Sequence, residues 1–158
     1  MGERLSGKVA VITGTGGGMG RVAATLFARE GAREVGCDVL AEGAAETVRM
    51  VADAGGEMVS LHPCDLTDAA AAKALVELAV DTYGGIDAVY NNAAFAYFNS
   101  VAEMTFAEWE ATIAGELHLV FHVCSAAWPH LVARGGGSII STASVAGHRG
   151  SAINGILA

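Results

Sequence analysis

The sequence predicts a doubly wound α/β domain on a parallel sheet, and three observations carry that expectation. Short apolar runs alternate with stretches of helical period between residues 8 and 142. Glycines stand at most switches from one period to the other. The first switch, Thr13-Gly14-Thr15-Gly16-Gly17-Gly18-Met19-Gly20, follows an apolar run and opens a helix. Strands alternating with helices build parallel sheets with right-handed crossovers, because each helix must pack back onto the sheet it left.

Taken in order, residues 8–13 read as a buried strand that ends on the glycine run. Between Met19 and Glu30, the residues Val22, Ala23, Leu26 and Phe27 recur at helical spacing, and Gly31 is placed to end that helix. A second strand over residues 33–38 and a helix over residues 42–53 form the next unit, closed by Gly55-Gly56. A third strand spans residues 57–62. The helix after Asp68 carries Ala74, Leu75, Leu78 and Ala79, and Gly84-Gly85 ends it. A fourth strand, residues 86–90, runs into Asn91-Asn92-Ala93-Ala94. One long helix is then expected from about residue 106 to residue 133. Its stripe is Trp109, Ile113, Leu117, Val120, Phe121, Cys124 and Trp128, read as core or helix-pairing contacts, with Pro129 loosening the last turn. Gly135-Gly136-Gly137 leads to a fifth strand over residues 138–142.

Composition narrows the partners. At 158 residues the chain suits one domain spanning residues 1–158, and 53% hydrophobic against 16% charged residues argues against disorder. The formal charge of −8 and the lack of any Lys/Arg cluster speak against nucleic acid and anionic membranes, which bind basic patches. No apolar run reaches eighteen residues, and Met1-Gly2-Glu3-Arg4-Leu5 carries no signal-like apolar region, so a cytoplasmic location is expected. Cys37, Cys64 and Cys124 fit neither a zinc spacing nor a disulfide framework and read as small core residues. His118 and His122 share a helix face, but neither the H-E-x-x-H pattern nor a third ligand accompanies them, so no metal is expected.

The glycine turn has a definite use. Residues without side chains let the backbone turn sharply and let a phosphate approach, while the helix start offers unpaired N–H groups and partial positive charge. The second strand ends at Asp38, the place where an acid accepts hydrogen bonds from an adenosine ribose. A carboxylate there repels a 2′-phosphate, so NAD is expected in preference to NADP; Arg21 and Arg33 are the cations near enough to weaken that preference.

With these residues in view, the chain resembles the short-chain dehydrogenase/reductase family from Gly7 to Gly155. Thr13-Gly14-x-x-x-Gly18-x-Gly20 is similar to that family's cofactor loop, Asp38 to its NAD-selecting acid, and Cys64-Asp65-Leu66 to its adenine contact. Asn91-Asn92-Ala93-Ala94 resembles its Asn-Asn-Ala-Gly turn, with Ala94 at the glycine position. The run from Gly137 to Ser144 resembles its fifth strand with the active-site serine at Ser144. The resemblance implies a Rossmann-like sheet of strand order 3-2-1-4-5, incomplete at its C-terminal end. It implies a cofactor site formed by Gly14, Gly18, Met19, Gly20, Asp38, Asp65, Asn91 and Ala93, with Ser144 as the catalytic residue. The implied reaction is hydride transfer between NAD and a secondary alcohol or ketone, in a homo-oligomer.

The pattern also departs from the family. The family's chemistry implies a tyrosine that moves a proton, a lysine four residues later that lowers its pKa, and an asparagine in the long helix. Leu157 stands where the tyrosine is expected, the lysine position falls beyond Ala158, and Glu116 occupies the asparagine position. Leucine moves no proton, so the chain as it stands is expected not to catalyse the family reaction. A catalytically inactive dinucleotide-binding or interaction module is the alternative expectation. His148 and Asn154 lie on the last loop beside the expected substrate, and Glu116 is a candidate for a displaced general acid or a solvated or paired carboxylate.

Overall fold

The computed structural model describes residues 3–148, so Asn154, Gly155 and Leu157, singled out in the sequence, lie outside the described residues. Five strands form one sheet: β1 (Val9–Thr13), β2 (Arg33–Cys37), β3 (Glu57–Leu61), β4 (Ala88–Asn91) and β5 (Ser138–Ser141). Their order is β3-β2-β1-β4-β5 and every pairing is parallel, as expected of a Rossmann-like sheet. The register lays one apolar row across all five strands, Val59-Val35-Val11-Val89-Ile139. A one-residue slip would send that row to the opposite face, so burial fixes the register.

Helices cover both faces. On the Val11 face, α3 (Ala69–Tyr83) packs against α5 (Leu119–Ala133), and Leu75, Val76, Ala79, Val123, Ala127 and Leu131 close over Val11, Val35 and Val89. On the other face, α1 (Gly18–Arg29) and α2 (Ala41–Asp53) supply Ala24, Ala28 and Val51 against Ala10, Ile12 and Met58. Each buried Val or Leu contributes on the order of 1.5–3 kcal/mol, so the sheet centre dominates stability. The helix ends follow local chemistry. Asp68 caps α3 by accepting from Ala70 N at 2.8 Å, and Gly84 ends it in the left-handed region at φ 79°. A reciprocal Thr105–Glu108 box starts α4 (Phe106–Ile113).

Two expectations are corrected. The single long helix is α4 and α5 joined by a π-helical turn, Ala114–His118. Gly115 explains the interruption: its carbonyl accepts from Phe95 N at 3.1 Å, and a Cβ at Gly115 would collide with the Phe95 carbonyl. The loop after β4 therefore docks onto the helix at that point. The apolar stripe is also not the buried one. Trp109, Leu117, Phe121 and Trp128 are exposed, whereas Leu119, Val123, Ala127 and Leu131 face the sheet. The rod is apolar on both sides, so periodicity alone did not say which side turned inward. Pro129 is accommodated within α5, and Arg134 N still donates to His130 O at 3.0 Å in the last turn.

One core residue breaks the apolar pattern. Glu34 on β2 is fully buried, and neither of its carboxyl oxygens finds a hydrogen-bond partner among the described residues. Burial pushes its pKa up to about 9, so it sits in the core as the neutral acid.

Candidate functional site

The site begins where β1 ends. Thr13 ties two strands together beneath the glycine turn: its hydroxyl accepts from Asn92 N and Ala93 N, both at 3.0 Å. Gly14 follows at φ +74°, and a Cβ there would lie 2.9 Å from Ala93 Cα, so the turn and the β4 loop meet backbone to backbone. Gly20 is buried in the first turn of α1, where a Cβ would collide with the Gly14 carbonyl. Its missing side chain lets α1 start directly against the strand. No side chain caps α1 and no acid lies in its first turn. The helix start, with Gly17, Gly18 and Met19, borders a cavity of about 610 Å³.

The opposite wall comes from the ends of β2 and β3. Asp38 borders the cavity, and its carboxylate accepts from Gly16 N at 2.7 Å and from Leu40 N at 2.8 Å. Arg21, one of the two cations singled out in the sequence, is bonded to the glycine turn and to α2. Its guanidinium donates to Thr47 Oγ1 and Gly16 O at 2.9 Å and pairs with Glu46 at 2.9 Å. Arg33 lies at the other end of β2, over the ring of Tyr83. Asp65 borders the cavity, its Oδ1 accepting from Thr67 N at 3.0 Å and Thr67 Oγ1 at 2.8 Å. Cys37 and Cys64 lie beside the two acids on the same wall. Ala111, Ala114 and Gly115, at the junction of α4 and the π-helical turn, close the far side with Leu119 and Phe95.

Of the residues singled out in the sequence, Gly14, Gly18, Met19, Asp38, Asp65 and Ala93 share this cavity. Gly20 acts from beneath it, through the space it leaves. Asn91 is buried at the end of β4, where its amide donates to Cys124 Sγ and Ser141 Oγ, each at 3.3 Å. Its neighbour Asn92, which sequence reasoning passed over, borders the cavity instead. Asn92 Nδ2 donates to Thr13 O at 3.1 Å, and its buried Oδ1 has no partner among the described residues. The signal was available in principle: consecutive residues at a strand end face opposite ways. Ser144 lies after β5, exposed, its hydroxyl accepting from Ala146 N at 3.2 Å, and it does not border the cavity. Glu116 is half-buried in the π-helical turn, where burial raises its pKa. His148 is exposed beside Ser144. The His118 and His122 rings lie 6.3 Å apart at a 41° tilt, and no cluster of three metal-binding side chains exists among the described residues.

The cavity offers an uncapped helix start for an anion, a carboxylate one strand away for hydroxyl groups, and the orphaned Asn92 Oδ1 for a donor. These features fit a dinucleotide with a central diphosphate. Known proteins point the same way. The family model described as short chain dehydrogenase matches residues 8–156. A cyclohexanol dehydrogenase of Acinetobacter sp. (strain SE19) is 34% identical over 148 residues, 93% of this chain and 59% of that protein. A D-threitol dehydrogenase of Mycolicibacterium smegmatis is 34% identical over 145 residues, 90% of this chain and 55% of that protein. Among solved structures, a 7α-hydroxysteroid dehydrogenase complexed with NADH and 7-oxo glycochenodeoxycholic acid superposes with TM-score 0.90 at 31% identity. That match covers 96% of this chain and 58% of the other. The chain thus spans between half and two thirds of these proteins' lengths.

Proposed function

Because the chain belongs to the short-chain dehydrogenase family, a family of oxidoreductases, we propose that its cavity is the NAD site of an enzyme type that transfers hydride between NAD and a secondary alcohol or ketone. The observation that carries this reading is the pairing of the uncapped α1 start with Asp38 across one cavity. In this reading the N–H groups of Gly17, Gly18 and Met19 face the diphosphate, whose charge the helix dipole favours. The Asp38 carboxylate accepts from the adenosine ribose hydroxyls, and its charge disfavours a 2′-phosphate. Asp65 borders the adenine, and the free Asn92 Oδ1 accepts a donor from the cofactor. Gly14 and Gly20 keep the floor of the site low, and Ala93 sits opposite Gly14. When bound, NAD would supply the hydride acceptor for oxidation of an alcohol carbon. Ser144 would hydrogen-bond the substrate oxygen.

The proton is a separate matter, because Leu157 stands where the family resemblance places the proton-moving tyrosine. The proposed chain therefore binds cofactor without turning over alcohols. No described helix is long and apolar enough to cross a membrane, and a cytoplasmic location belongs to this proposal. So does self-association, through the exposed α5 face carrying Phe121, Trp128 and Val132.

Calorimetric titration of the 158-residue chain with NAD, and then NADP, tests the reading. The expected result is saturable NAD binding at least tenfold tighter than NADP binding, with no growth of reduced-nicotinamide absorbance on adding secondary alcohols. NAD failing to bind at millimolar concentration would overturn it.

A further inference from the structure

We propose that Cys37 and Cys64 form a thiol-modification site within the cofactor cavity, a pair that a hydroperoxide closes into a disulfide and that bound NAD shields. The inference deepens the NAD reading and rests on it for the shielding, but not for the thiol chemistry. Cys37 is the last residue of β2, and Cys64 follows β3, its immediate neighbour in the sheet. Cys64 N donates to Asp38 O at 2.9 Å, which holds the segment carrying Cys64 against the residue after Cys37. The two thiols are neighbours, each shifting the other's pKa, and both border the cavity that also takes in Asp38 and Asp65. Both belong to one apolar cluster and are otherwise buried, so the cavity is their route to small reagents. A peroxide, little larger than water, fits that route. Cys124 is on α5, hydrogen-bonded to Asn91, and is not part of the pair.

The environment divides the roles. The neighbouring Cys37 thiol lowers the pKa of the Cys64 thiol, against burial and the nearby Asp65, Asp38 and Asp68, while Cys37 is pushed well up by Cys64 and by burial. Cys64 is thus the attacking sulfur, since the thiolate is the nucleophile. Its thiolate attacks one peroxide oxygen, forming an S–O bond and breaking the O–O bond; hydroxide leaves and is protonated to water. The Cys37 sulfur then attacks the Cys64 sulfur, the S–S bond forms, the S–O bond breaks, and a second water carries away the Cys37 proton. Two thiols lose two electrons, and one peroxide becomes two waters. The new bond fixes the ends of β2 and β3 together at the acids proposed to hold the adenosine. Oxidation should therefore weaken NAD binding at least tenfold, and NAD should protect the thiols.

The test treats the full chain with hydrogen peroxide, with and without saturating NAD, and follows it by intact mass, thiol titration and peptide mapping. The expected result is a loss of two thiols, a crosslink between the Cys37 and Cys64 peptides, and a free Cys124. A reducing agent reverses the crosslink, and NAD slows its formation severalfold. Cys37→Ala and Cys64→Ala each abolish it; should either variant fail to fold, the wild-type crosslink map alone decides. Three thiols surviving peroxide, oxidation of Cys64 to sulfinic acid without a crosslink, or a crosslink through Cys124 would each overturn the proposal. A Cys37–Cys64 crosslink forming equally fast with NAD present overturns the shielding. The titration of reduced protein separately shows whether the NAD reading itself has failed.

Discussion

Strands β1 and β5 lie on either side of β4, yet solvent reaches neither face of the first and every residue of the second. Their sequences are similar in kind, VAVIT and SIIS, both rich in β-branched residues. What separates them is cover. Four helices close over β1, and its end is tied by Thr13, Gly14 and Gly20 to the β4 loop and to α1. Just after β5, Thr142 still bonds to Asn91 O and Tyr90 Oη of β4, but beyond it the hydrogen bonds among the described residues are local, such as Ser144 with Ala146. The comparison teaches that the end of the site proposed to hold the cofactor is built from mutually locked parts, whereas the serine end is presented without a matching wall among the described residues. Binding and turnover then become separable properties of one sheet.

The largest expected effect attacks the locked end. Gly20→Val places a side chain against the Gly14 carbonyl, a backbone atom with no room to yield. Overpacking costs ~1–3 kcal/mol or more, so NAD affinity should fall at least about a hundredfold, or folding should be lost. Calorimetry and thermal melting read both. Affinity within threefold of wild type would show that the turn is not locked as described.

Next comes Glu34, a polar group in that same well-covered region. Its folded pKa of about 9 lies above the ordinary 4.5, so the neutral acid is the folded form. The sign follows: its contribution is fully present below about pH 4.5 and is lost as pH rises through about 9. At pH 7 the cost of keeping it neutral is about 3 kcal/mol. Glu34→Gln should therefore be more stable than wild type at pH 7, and the gap should shrink toward pH 5 in urea melts. Parallel pH curves for the two proteins would mean that Glu34 is hydrated or paired, and that the cover over this face is looser than described.

A smaller effect tests the chemistry of the locked end without disturbing its shape. Asp38→Asn keeps the size of the side chain and removes its charge. NAD should bind about tenfold more weakly, ~1.4 kcal/mol, and the preference over NADP should shrink to within about threefold. An undiminished preference would move the discrimination to another residue.

The same asymmetry governs what the sequence revealed. Strand and helix order, the glycine turn and Asp38 were legible because each depends on local pattern: period two, period 3.6, and residues without side chains at a switch. Three features were not. Asn91 and Asn92 are adjacent and identical, and only the fold decides that one is buried beside Cys124 while the other borders the cavity. The outward turn of Phe121 and Trp128 depended on α3 and the sheet claiming the opposite side of α5. The π-helical turn arose from a contact between Gly115 and Phe95 that no helical period contains. Local rules wrote the locked end, and tertiary competition set the rest.

The smallest effect belongs to β5, where the comparison is most easily broken. Ile140 is 44% exposed and pairs in register with Tyr90 of β4. Ile140→Thr keeps a β-branched side chain in an exposed position, so its cost should stay within about 0.5 kcal/mol. The same measurement across a range of protein concentrations gives the result its meaning. A loss above about 1 kcal/mol that grows as the protein is concentrated would show β5 buried against a second copy. The contrast with β1 would then be a property of the isolated chain, and the α5 face would no longer be the surface through which copies meet.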